Sequence, residues 1–85
     1  MLLEAQAIAE QWVTPMRIQH VVDQIRAQRN GAEPDMTWTG DVLGAMKADI
    51  AREAEGEIGA SEAAWTAIKR KTVTLYKESL GMVTL

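Results

Sequence analysis

The sequence predicts an all-α domain, a small bundle of three to four helices, on three observations. Apolar residues recur at intervals of three and four through most of the chain. Thr, Ser, Asn, Gly and Pro stand where those stretches begin and end. Only the last stretch alternates as a strand would.

The first helix is expected from Leu2 to Val13, with Ile8 and Trp12 on one face. Thr14 then offers an N-cap and Pro15 suits the first helical position, where its missing N–H costs nothing. A second helix follows to about Arg29. Its stripe of Ile18, Val21, Val22 and Ile25 is the cleanest in the chain, and Asn30-Gly31 ends it.

Residues 32–38, with Pro34-Asp35 inside, form the longest expected loop. Thr37 or Thr39 is expected to cap a third helix running to about Glu55, striped by Val42, Leu43, Met46, Ile50 and Ala54. Gly56 and Gly59 bracket an expected turn in which Ile58 plugs the core. Ser61 caps a fourth helix, and Glu62 sits well against its dipole.

Two structures compete for the last stretch. Trp65, Ile68, Thr72, Leu75 or Tyr76, and Leu80 fit a helix ending at Gly81. The β-branched alternation of residues 72–76, paired with residues 82–85, would instead make a hairpin over 72–85. Helix is the favoured reading, because Lys77-Glu78-Ser79-Leu80 followed by Gly81 reads as a helix end.

The chain has 85 residues, enough for one domain that buries about 60% of its unfolded surface. Cysteine is absent, so neither a disulfide nor a Cys-based zinc site adds stability. Apolar residues make up 47% and charged residues 25%, which argues against global disorder. No apolar run reaches the ~20 residues that span a bilayer, and the first residues lack the basic start of a signal peptide. A soluble cytoplasmic protein without membrane contact is therefore expected.

Charge is unevenly distributed. Residues 1–32 are neutral overall. Residues 33–62 hold eight acids against Lys47 and Arg52, and residues 63–85 hold Lys69, Arg70, Lys71 and Lys77 against Glu78. The formal total is −3. Such a bipolar chain is suited to steering a partner or to head-to-tail association, while a general nucleic-acid binder would carry a basic balance.

Chemistry-bearing side chains are scarce. The single histidine, His20, has Asp23 three positions on, but no nucleophile can be placed beside them. Asp49, Glu53 and Glu57 are spaced by four, yet no Glu-x-x-His motif accompanies them as in di-metal bundles, and Gly56 interrupts the stripe. These carboxylates are better read as an acidic face offered to a basic partner. Phosphate loops, nucleophile elbows and kinase signatures are missing, so no enzyme activity, cofactor or metal is expected.

Trp12 and Trp65 lie on apolar stripes and are assigned to the core. Trp38 stands in a loop between two threonines, where its ring either plugs the end of the core or stands exposed; with Met36 it is the first choice for a partner contact.

The leading expectation is a small interaction protein that occludes or bridges a protein partner through Trp38, Met36, Asp49, Glu53 and Glu57. Size and acidity would suit a small regulator or inhibitor from a phage or other mobile element, an expectation that no motif carries. Homodimerisation is a companion expectation, since so short a chain builds a thin core. The alternative is a helix-turn-helix DNA-binding regulator over residues 49–71, with Lys69, Arg70 and Lys71 on phosphate, or a winged helix if 72–85 is a hairpin. Against it stand a turn longer than usual and the acids Glu53, Glu55 and Glu57.

Overall fold

Four α-helices make up the fold in a computed structural model that describes residues 2–81, and the side chains of residues 4–81. They are α1 (Leu2–Trp12), α2 (Pro15–Gln28), α3 (Thr39–Ile58) and α4 (Glu62–Ser79), with a 3-10 turn at Met36–Trp38. No strand occurs among the described residues. No helix among them is long and apolar enough to cross a membrane.

Thr14 caps α2 by accepting from the Arg17 N–H at 3.2 Å. Asn30 and Gly31 end it, with φ of 57° and 80°, in the left-handed region that Asn and Gly tolerate best. The Gly31 N–H returns to the Arg26 carbonyl at 2.9 Å. Neither Thr37 nor Thr39 provides the cap expected of them. Helix α3 starts from Trp38 without a side-chain cap, and Asp35 caps the preceding 3-10 turn instead, accepting the Thr37 N–H at 2.9 Å.

Helix α3 does not stop at Glu55. It runs through Gly56 to Ile58, which is buried and completes the stripe of Val42, Met46, Ile50 and Ala54. A helical glycine costs about 1 kcal/mol, and burying an isoleucine returns about 1.5–3 kcal/mol, so the helix continues. The turn is thereby shortened to Gly59-Ala60-Ser61, with Gly59 at φ 58°. The Trp65 indole donates to the Gly59 carbonyl at 3.2 Å, and Ser61 caps α4.

Residues 72–79 are helical, which overturns the hairpin alternative over them; residues 82–85 lie outside the described residues. Thr72 is buried and donates its hydroxyl to the Ile68 carbonyl at 2.7 Å, and Thr74 does the same toward Arg70 at 3.0 Å. These back-bonds give each β-branched hydroxyl a partner inside the helix, and the i, i+4 series Ala64, Ile68, Thr72, Tyr76 faces the core.

Helix α4 packs on all three other helices, most extensively on α1, while α2 leans mainly on α3. The resulting slab measures 38 × 33 × 18 Å.

Candidate functional site

The acidic stripe and the α1–α2 corner form one cluster. Because α3 passes through Gly56, Asp49, Glu53 and Glu57 stand on one face and meet the end of α1. Arg17 pairs with Asp49 and donates to Glu53 at 2.6 Å. Asp49 also takes Arg52 at 2.8 Å, and Glu57 accepts the Trp12 indole N–H at 3.2 Å. The side chains of Arg17 and Asp49 are only 18% and 13% exposed. Partial burial pulls the Arg17 guanidinium toward losing its proton, but Glu53 and Asp49 outweigh it and hold the group more firmly charged than usual.

The three carboxylates bind the chain's own α1–α2 corner. Asp49 is mostly buried there, while Glu53 and Glu57 remain exposed. The pairing of Arg17 with Asp49 spans 32 residues of sequence, and no local pattern announces it.

The partner contact expected at Trp38 is corrected. It is 3% exposed and belongs to the core, so its ring is not a surface anchor. The 3-10 turn swings the indole inward against Val42 and its neighbours in the core, and the Arg29 guanidinium lies 4.8 Å from the ring centroid. Arg29 in turn pairs with Asp41. Met36 is half-buried. Trp12 and Trp65 are half-buried at the core's edge, beneath Arg17 and Lys47, each 5.7 Å away.

His20 is exposed, and Asp23 is engaged by Gln19 at 2.8 Å and Arg26 at 3.3 Å, so no His–Asp relay forms. No group of three His, Asp or Glu side chains converges to suit a metal among the described residues.

Two features remain open on the surface. Lys69 and Arg70 are exposed and Lys71 is half-buried, and none of them joins an ion pair among the described residues. The arginines of α2 and α3, by contrast, are all paired.

The second feature is a groove of about 680 Å³ between α1 and α4. Ala5, Ala9, Ala63 and Ala67 line it, with Gln6 and Thr66 beside them and Glu10, Glu62, Arg70 and Lys71 at its margins. The two helices run antiparallel, because Trp12 at the end of α1 meets Glu57, five residues before α4 begins. Glu10 therefore lies at the Glu62 end and Gln6 toward Arg70 and Lys71. The groove has an acidic pole and a basic pole about 12 Å apart.

Being small, the alanines do not stand out in the sequence as anchors. Their signal was present as two pairs spaced by four, Ala5/Ala9 and Ala63/Ala67, on helices that pack together.

Compared with protein-family models, curated proteins and solved structures, the chain matches none.

Proposed function

We propose that this protein is a non-enzymatic interaction module of the regulator or inhibitor type, which docks a helix of a partner protein in the groove between α1 and α4. The observation that carries the reading is the groove's construction. Ala5 and Ala9 are buried, and the small, more accessible Ala63 and Ala67 let a partner backbone come close, while poles of opposite sign fix its direction. Trp38 and Asp49 are committed to internal contacts, whereas the groove stands open between α1 and α4.

The test is affinity capture with the whole chain, comparing wild type with Ala63→Trp. Ala63 is exposed, so its replacement fills the groove without entering the core. A protein held by wild type and released by the variant supports the reading. Identical capture by both sinks it.

A second reading, sequence-nonspecific or operator DNA binding, draws on one specific observation. The α3–α4 connection is three residues long, the length usual for a helix-turn-helix, and Lys69, Arg70 and Lys71 follow it on α4. Anisotropy of labelled duplex DNA at low and physiological salt tests it. Salt-steep binding that fades in Lys69→Gln/Arg70→Gln/Lys71→Gln would favour DNA, and no binding at low salt would remove it.

A further inference from the structure

We propose that the occupant of the α1/α4 groove is a second copy of this chain, docked about a two-fold axis across that face; this rests on the groove being a protein-docking surface. Self-complementarity is the argument. A two-fold interface sets residue i against j and j against i. Here the acidic pole is Glu10 with Glu62, and the basic pole is Arg70 with Lys71. Rotation by 180° brings the acidic pole of one copy onto the basic pole of the other, twice. The opposite orientation would set like charges together at both ends, which is costly. The neutral alanine stretch between the poles lies near the axis, where small side chains allow close approach.

Geometry fits the size of such a contact. The 18 residues of α4 make a rod about 27 Å long, and with α1 beside it the face is two helices wide. That footprint falls below the ~800 Å² per partner of a standard stable interface, so a weak, concentration-dependent dimer is expected. Rim charges of this kind set orientation and suppress wrong pairings more than they add affinity.

Sedimentation equilibrium of the full chain across micromolar to submillimolar concentration is the experiment. Wild type should move from the 9.4 kDa monomer toward twice that mass. Arg70→Glu/Lys71→Glu and Glu10→Lys/Glu62→Lys should each stay monomeric, with helical circular dichroism retained, and an equimolar mixture of the two should recover the dimer. Glu10→Lys alone serves if reversing Glu62, in the first turn of α4, unfolds the helix. Wild type that stays monomeric at the highest concentration overturns the proposal, as do charge-reversed variants that dimerise undiminished. A monomeric wild type whose captured protein is still lost on Ala63→Trp would refute the second copy alone and leave the groove as a docking site. If Ala63→Trp changes neither capture nor mass, the groove reading falls with it.

Discussion

Tyr76 donates its phenolic hydroxyl to the backbone carbonyl of Asp35 at 2.6 Å, across 41 residues of sequence. The ring is buried at the far end of α4, and its bond fixes the long connection between α2 and α3. A residue that the periodicity marks only as apolar thus also supplies a polar tie.

Tyr76→Phe keeps the ring and removes that tie. Urea unfolding followed by circular dichroism should show a loss of about 1 kcal/mol, with the core otherwise intact. An unchanged midpoint would mean that the carbonyl finds water at no cost.

The same hydroxyl gives the alkaline limb of stability. Burial pushes the Tyr76 pKa above its ordinary value, and Asp35 adds to the shift. The folded state therefore favours the neutral phenol. Its contribution is complete below about pH 10 and is lost as pH rises from there through the raised value. Tyr76→Phe should flatten this part of the profile, measured as thermal midpoint between neutral and strongly alkaline pH.

Asp35 governs part of the acid limb. The Thr37 hydroxyl, then the Thr37 N–H, hold its carboxyl below the usual range. Its contribution is complete above about pH 4 and disappears as pH falls through the lowered folded value. Thr37→Ala removes the hydroxyl donor, so the acid-induced loss attributable to Asp35 should shrink in a pH series.

Trp38→Ala should destabilise the domain by about 3–5 kcal/mol, the range for emptying a large aromatic from a core. For a fold this small, that is a large fraction of its stability. Near-native stability in this variant would overturn the core assignment.

Arg17→Ala breaks the link from α2 to both Asp49 and Glu53 and uncovers the Trp12 ring. A loss of about 1–3 kcal/mol is expected in chemical unfolding, because Asp49 is nearly buried and keeps only Arg52. High salt should weaken the Arg17–Asp49 contribution little, since that pair is sheltered from solvent.

What the sequence made legible was whatever repeats locally. The buried face of α2 is Ile18, Val21, Val22 and Ile25, the four residues its spacing selects. Thr14, Ser61 and Asn30-Gly31 act at the boundaries their chemistry suits. The rest depended on tertiary contact. Residues 72–76 alternate like a strand, yet the fold chooses the i, i+4 series because α4 has three helices to cover. Trp38 stands in a polar local context, and only the 3-10 turn capped by Asp35 turns it inward. The carboxylates of Asp49 and Glu53 read as a free face because their partner, Arg17, lies on another helix. For the candidate site, the alanine spacing was visible on each helix, but the groove exists only once α1 and α4 pack side by side.

The position of α4 also bears on biosynthesis. It is the helix that touches all the others, and it follows them in the chain. During synthesis, α2 and α3 can cover part of each other, but the faces of α1, α2 and α3 that meet α4 stay bare until residues 62–79 arrive. A product interrupted before α4 would leave the apolar face of α3 only partly covered, a surface suited to chaperones and proteases. Helix α4 thus closes the packing of the three helices made before it, and their shared face is covered only once residues 62–79 are in place.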